Sequence, residues 1–355
     1  MARRATRVDD FPNRDLLDDI AFGLYKSTVL KAAVEVEIFT RISEGHRTVP
    51  ALARIGGLTE RGTRVLLDAL VFLGLLTKLQ NEYGLSPTAE AFLVKGKPAY
   101  FGDATLGDFN WDARGQLSKI LRTGRAIAPT AFSDAFEPMW ASVSAPYVVD
   151  WARQLEGANT LWEKIDSAPE QMKKLRVLDI GGGAGLLSFA LAKKHASNRV
   201  TIIERPMVLA YTKKVADAMQ IETQVTFIAQ DPLNPDVKAQ SFDLVVFNNV
   251  TQYLSTEQNI GLLRKAYEAL VEGGRVVIHA PIAEEDRKGP SEVPLIGAEM
   301  LLFSADGDVY IYAEYRSMLE AAGYFDVVNH KDDWGLLSAR RTQTPQNKNE
   351  KWGMR

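Results

Sequence analysis

This chain of 355 residues is predicted to be an α/β protein: a Rossmann-like, seven-stranded domain preceded by a mainly α-helical unit of winged-helix type. Three observations predict it. From Leu175 onward, short aliphatic and β-branched runs alternate with helical stretches, the pattern of a parallel sheet covered on both faces. A glycine-rich turn leaves the first of those runs and opens a helix. Nearer the start, two short helices are followed at once by a hairpin pattern.

Taken in order, residues 1–15 read as a basic, solvated tail, with no apolar stretch of signal-peptide length behind it. Residues 16–42 carry a helical stripe through Ile20, Leu24, Val29, Ala33, Val36 and Phe39. Thr48 then heads a short helix with Pro50 in its first turn, where the missing N–H costs nothing. Gly56 and Gly57 break that helix, and 59–73 form a second, amphipathic one. Gly74 caps it and leads into a small hairpin turning at Asn81. The unit spans 16–100. Residues 101–170 read as a helical, aromatic-rich linker whose rings suit an apolar pocket wall. In the domain at 171–341, strands are expected at 176–180, 199–203, 225–229, 242–247, 274–279, 325–329 and 335–339. The last two have no helix between them and should form an antiparallel hairpin at the sheet edge. Residues 342–355 read as a second polar tail.

Composition removes several classes of function. With 46% hydrophobic and 25% charged residues, the chain is ordinary for a globular protein. Its net charge of -3 offers no basic field for nucleic acid or an anionic membrane. The would-be recognition helix of the winged unit carries Arg61 and Arg64 but is otherwise apolar, which suits packing or dimerisation better than groove reading. No cysteine is present, so disulfides, thiolate nucleophiles and Cys-type metal sites are excluded. The four histidines are scattered, and no metal is expected. No run approaches a membrane span, and a cytoplasmic location is expected.

The strongest chemical signal is Asp179, Gly181, Gly183 and Gly185, at the spacing Asp-x-Gly-x-Gly-x-Gly. Glycines let the backbone turn sharply and approach a ligand, while the helix N-terminus offers unpaired N–H donors. Dinucleotide sites use Gly-x-Gly-x-x-Gly instead, and an acid inside the turn would repel a pyrophosphate. Glu204 ends the second strand, roughly 20 residues past the glycines, where a carboxylate can accept from both ribose hydroxyls. Asp231, followed by Pro232, comes just after the third strand, where it can accept from an adenine amino group. Together these favour S-adenosylmethionine over a nicotinamide cofactor.

On these residues, and on 121–124, 204–206, 267–270, 273–275 and 313–324, the chain resembles the small-molecule O-methyltransferases of plants and bacteria over nearly all of 16–341. The resemblance implies a class I methyltransferase domain behind a winged-helix dimerisation domain, and a homodimer acting on a small molecule. It also implies cofactor contacts at Gly181, Gly183, Glu204, Asp231 and Asn248. That family commonly takes the acceptor proton with a His just after the fourth strand, which its plant members flank with two Glu. Counting back from 267–270, the His position is Gln252, and the Glu positions are Ala280 and about Val309, with Asp308 beside it. A neutral amide cannot take a proton at pH 7. His279 and Tyr253 are the remaining candidates near the reacting atoms.

The substrate is expected among Trp111, Met139, Trp140, Met300 and Phe303, whose side chains suit a flat aromatic or polyketide-like molecule. Transfer to oxygen is slightly favoured. The alternatives are transfer to carbon, a non-methylating enzyme that keeps S-adenosylmethionine as an electrostatic element, and, more remotely, a ligand-sensing DNA-binding regulator.

Overall fold

The computed structural model describes residues 13–102, 114–126, 137–144, 146–166, 172–290 and 292–342, and the chain divides into two compact units between Leu106 and Gly107. Most of both tails and part of the 101–170 segment, Trp111 included, lie outside the described residues.

In the first unit, the helical stripe expected over 16–42 is two helices, α1 (Asp15–Glu35) and α2 (Ile38–Ser43). Glu37 adopts a left-handed backbone, φ 54°, between them. That turn re-aims the chain so that Ile38, Phe39 and Ile42 enter the same core as Ala33. Only the C-terminal half of the stripe is buried: Ile20 and Leu24 stand in solvent. Helix α3 (Val49–Gly56) starts on the Thr48 hydroxyl, which accepts from the Ala51 N–H at 3.4 Å, and ends at Gly57 with φ 64°. Helix α4 (Glu60–Phe72) starts on Thr59 and buries Leu67 and Leu70. Strands β1 (Leu76–Leu79) and β2 (Glu82–Leu85) make the antiparallel hairpin, and α5 (Pro87–Phe92) follows a Ser86 cap. Asp68 on α4 gathers Arg64, Lys78 and the Tyr83 hydroxyl, tying helix to hairpin.

The second unit holds α6 (Leu117–Thr123), α7 (Glu137–Ser144) and α8 (Tyr147–Ile165), and then the sheet. Its strands are β3 (Arg176–Ile180), β4 (Arg199–Glu204), β5 (Val225–Ala229), β6 (Phe242–Asn248), β7 (Leu270–His279), β8 (Tyr324–Asn329) and β9 (Leu336–Arg341). They lie in the order β5-β4-β3-β6-β7-β9-β8. The first five are parallel, while β9 runs antiparallel to both β7 and β8. The expected terminal hairpin therefore exists, with its second strand turned inward.

Alternation along each strand divides the core in two, as period-2 geometry requires. Val177, Val200, Ile202, Leu244, Val246 and Val277 face one layer with α8, α9 (Leu186–Lys194) and α10 (Pro206–Met219). Leu178, Ile180, Val245, Phe247, Ile278 and Ala280 face the other, with α11 (Thr256–Ala269) and α13 (Tyr312–Ala321). Between these last two, α12 (Val293–Phe303) buries Val293, Met300, Leu302 and Phe303. One expectation is corrected here. The strand expected at 274–279 begins at Leu270, so Gly273 and Gly274 lie inside β7, where the pairing with β6 slips between Phe242 and Leu244. Gly273 takes φ 71°, a backbone a side chain would resist, so the strand bulges rather than ends.

Candidate active site

The site grows from the top of β3. Gly181 donates its N–H to the Ile203 carbonyl at 2.9 Å and takes φ 70°. A Cβ there would lie 2.7 Å from a Val250 methyl, so the position excludes any side chain. Gly185, φ 79°, caps α9, and a Cβ on it would meet the Phe189 ring at 2.7 Å. Gly183, φ 54°, has no neighbour within 4 Å of a Cβ, leaving open space over its backbone. The turn is thus packed from below at Gly181 and Gly185 and open at Gly183.

Glu204 completes the cradle at the end of β4. Its two oxygens accept the N–H groups of Gly183, at 3.0 Å, and Arg205, at 2.7 Å. Burial raises its pKa, and those two donors pull it back toward the charged form. Asp179 lies underneath, 1% exposed, and accepts from the Ser188 hydroxyl at 2.6 Å. Burial, helped by the neighbouring Glu204 charge, pushes Asp179 up to about 7. It does not line the cavity. Its carboxylate faces Ser188 on α9, which makes it a support for the glycine turn rather than the ligand contact expected.

A cavity of about 600 Å³ opens over these residues, within the range of small-molecule sites. Its floor is the glycine turn with Glu204, Arg205 and Val208, and Asn248, Asn249 and Val250 continue it past β6. One aromatic end is made by Trp140, Val143, Ser144, Tyr147 and Tyr253. Gln154, Gly157, Ala158 and Leu161 of α8 also line it, with His279 and Asp332. A carboxylate at the end of β4, an open glycine backbone and a concave apolar wall fit a nucleoside with an amino-acid tail. Glu204 and Gly183 are the residues that would hold its ribose and backbone-facing edge. Among the described residues no cluster of His, Asp and Glu could hold a metal ion, and no helix is long and apolar enough to cross a membrane.

The remaining expected residues divide. Asp231 is half exposed and turned outward: its Oδ1 accepts from the Leu233 N–H at 3.1 Å and lies 3.8 Å from Arg205. It caps its own turn instead of lining the cavity. Pro232 is buried beside Gly181, its Cβ 3.7 Å from where a Gly181 Cβ would stand. Met300 and Phe303 are 1% and 3% exposed and belong to apolar clusters rather than to the cavity wall, because α12 turns them inward. Trp140 does reach the cavity and packs edge-on to Tyr253, ring centroids 5.7 Å apart. The side chain of Met139 lies outside the described set.

At the expected base position, Gln252 is 3% exposed, and its Oε1 has no hydrogen-bond partner. Tyr253 beside it is hydrogen-bonded to Gln252, and burial drives its phenol well above the usual value. Ala280 and Val309 are buried apolar residues, and Asp308 is exposed, its Oδ1 accepting from the next N–H at 2.7 Å. Neither Glu position therefore carries a carboxylate, and the acid that comes near is Glu299 on α12, whose charge adds to burial in raising the Tyr253 phenol. His279 lines the cavity but on the α8 face, because it alternates with Ile278 and Ala280, which face the other layer. Its Nδ1 lies 2.8 Å from Asn248 Oδ1, and burial lowers its pKa.

Sequence reasoning missed Asp332 and the small pair Gly157 and Ala158. Ala158 is buried on α8, but Gly157 beside it is exposed with open space over it, so the pair carries no periodic signal in the sequence. Asp332 lies in a loop and carries no local signal.

Similarity to known proteins agrees with this geometry. The model of an O-methyltransferase domain matches residues 153–325, and that of an O-methyltransferase dimerisation domain matches 18–95. The chain is 31% identical over 331 residues to acetylserotonin O-methyltransferase of Mus musculus molossinus, covering 87% of this chain and 83% of that protein. It is 28% identical over 317 residues to 3-hydroxy-5-methyl-1-naphthoate 3-O-methyltransferase of Streptomyces sahachiroi, covering 88% and 90%. It is also 28% identical over 321 residues to L-tyrosine C(3)-methyltransferase of Streptomyces lavendulae, covering 86% and 85%. The fold matches that of human N-acetylserotonin methyltransferase in complex with SAM, with a TM-score of 0.73 at 22% identity over 95% of this chain and 100% of that one.

Proposed function

The chain belongs to the S-adenosylmethionine-dependent O-methyltransferases that carry an N-terminal dimerisation domain, and from that premise we propose that it methylates a small, flat aromatic or polyketide-like acceptor at oxygen without a protein base. The observation that carries this reading is Gln252, a buried amide with an unpartnered oxygen where the family places its proton acceptor.

The bound cofactor supplies an electrophilic methyl group on a positive sulfonium; transfer forms an oxygen–carbon bond, breaks the carbon–sulfur bond and leaves a neutral thioether. The chain's part is positioning. Glu204 and the open backbone at Gly183 hold the nucleoside. Trp140, Tyr147 and Tyr253 offer aromatic surface against which a flat acceptor stacks. Gln252, buried next to Tyr253 and outside the cavity wall, takes no proton. The acceptor hydroxyl must therefore be acidic enough to arrive ionised.

The test has two steps. Calorimetric titration should show micromolar binding of S-adenosylmethionine and S-adenosylhomocysteine, weakened at least tenfold by Glu204→Ala. Acidic phenols and hydroxynaphthoates are then screened for a mass gain of one methyl group. Absence of cofactor binding would overturn the reading. Transfer to carbon is the second reading, favoured by the likeness to an L-tyrosine C(3)-methyltransferase. A methylated product that resists ether cleavage would select it.

The dimerisation model over 18–95 and the exposed Leu16, Leu17, Ile20 and Leu24 of α1 support a homodimer.

A further inference from the structure

The chain after β6 makes a single turn of 3₁₀ helix, Thr251–Tyr253, and side chains from four places bond to it and to Leu254. Asn259 of α11 donates to the carbonyls of Thr251 at 2.9 Å and Leu254 at 3.2 Å. The Tyr310 hydroxyl donates to the Leu254 carbonyl at 2.6 Å. The Tyr315 hydroxyl of α13 lies 2.7 Å from Thr251 Oγ1. Ser304, which caps the end of α12, donates to the Tyr253 carbonyl at 2.7 Å. Asn259, Ser304, Tyr310 and Tyr315 are all buried. Buried hydrogen bonds add little net stability but penalise every arrangement that breaks them, so this set specifies one geometry for the turn.

Ser304 links that turn to the rest of the aromatic end. Its Oγ also accepts from the Gly307 N–H at 2.7 Å, which folds the chain after α12 back over the turn. A Cβ on Gly307 would overlap the Gln252 carbonyl oxygen and stand 2.8 Å from the Tyr253 carbonyl carbon. The last turn of α12 thus bears on both rings at that end of the cavity. Tyr253 has its backbone held by Ser304 and packs on the apolar cluster that includes Met300. Trp140 packs on the cluster that includes Leu302 and Phe303. The two rings line the cavity and meet edge-on, yet residues 300–304 that carry them stand outside its wall.

We propose that Ser304 is a positioning residue for methyl transfer: by fixing Tyr253 against Trp140 it sets the edge of the acceptor slot, and with it the angle at which a flat acceptor meets the methyl group. This rests on the function proposed above. In-line transfer tolerates little misplacement of the attacking atom, so a wall that yields costs rate before it costs affinity.

The experiment labels the full chain with 5-fluorotryptophan and reads Trp140 by fluorine NMR, its line identified by its loss in Trp140→Phe. Tyr253→Leu removes the neighbouring ring and marks where the line falls when the contact is gone. Ser304→Ala should move the line toward that position. Ser255→Ala, which removes a hydroxyl at the start of α11, should leave it in place. Turnover is followed on umbelliferone, a flat acidic phenol. Ser304→Ala should lower kcat at least tenfold, with acceptor KM within threefold and S-adenosylhomocysteine affinity within twofold of wild type; the retained affinity also shows that the variant folds. Ser304→Thr keeps the hydroxyl and should recover kcat to within threefold. The fluorine reading needs no turnover: a line unmoved by Ser304→Ala, or moved as far by Ser255→Ala, overturns the assignment whatever the acceptor. A fall in kcat matched by an equal loss of cofactor affinity, or a threonine variant as slow as the alanine one, also overturns it. If the wild type binds no S-adenosylhomocysteine, the proposed function falls and this assignment with it; cofactor binding with an unmoved line overturns this assignment alone.

Discussion

Gln252 and Asp179 show what one residue's surroundings decide. Without a protein base, kcat/KM should rise with pH along the ionisation of the acceptor itself. An acceptor of lower pKa should move the whole profile down by the same amount. A limb that stays near pH ~6.5 whatever the acceptor would reveal a histidine at work instead. Gln252→His should raise turnover of ordinary phenols by on the order of tenfold or more. If it does so with no loss on acidic acceptors, the amide has no role of its own. Asp179 makes a prediction about stability. Its pKa is raised from 3.8 to about 7 by folding, so its contribution is fully present below the unfolded value and lost as pH rises through the folded one. The melting temperature should therefore fall between pH ~4 and ~7 and level off above. Asp179→Asn can still accept from Ser188 but cannot ionise, and should flatten that fall. A wild-type melting temperature that holds steady across the window would contradict the burial argument.

At the scale of elements, legibility followed local chemistry. Caps could be read because they are short-range: Thr48 and Thr59 each bond an N–H three residues ahead. The capping box at the start of α11 is of the same kind, with Ser255 and Gln258 bonded reciprocally. Ser255→Ala should cost about 1 kcal/mol, read from the urea midpoint at unchanged slope. The glycine turn was legible because steric exclusion leaves one residue type. Gly181→Ala should lose cofactor affinity, since both its φ of 70° and the Val250 methyl oppose a Cβ. An alanine variant with unchanged affinity would show that the turn can shift. The bulge in β7, the break at Glu37 and the outward turn of Asp231 were not legible. The bulge depends on β6 and the break at Glu37 on the core that Ile38 and Phe39 enter, both assembled from other parts of the chain, while Asp231 combines a local bond from the Leu233 N–H with the more distant Arg205.

Across the whole molecule, composition and alternation carried the class of fold, and the likeness of motifs carried the cofactor. The substrate wall did not follow, because Met300, Phe303 and Trp140 look alike in sequence, and only packing separates core from cavity. Oligomeric state belongs to this scale too. Leu16, Leu17, Ile20 and Leu24 on α1 are 63–70% exposed, an apolar strip a lone chain would leave in water. Light scattering should report a dimer for the wild type and a monomer for the pair Leu17→Glu and Leu24→Glu; a monomeric wild type would end that reading.

The place of β9 has a consequence for synthesis. Because it lies between β7 and β8, pairing Arg275 to His279 with Leu336 to Arg340, the sheet receives its inner antiparallel strand last. A chain emerging from the ribosome can assemble the five parallel strands early, but the rim of β7 then stays bare until residue 341 is free. Translation that stalls over the final segment would leave a nearly finished sheet with an open template for misassociation.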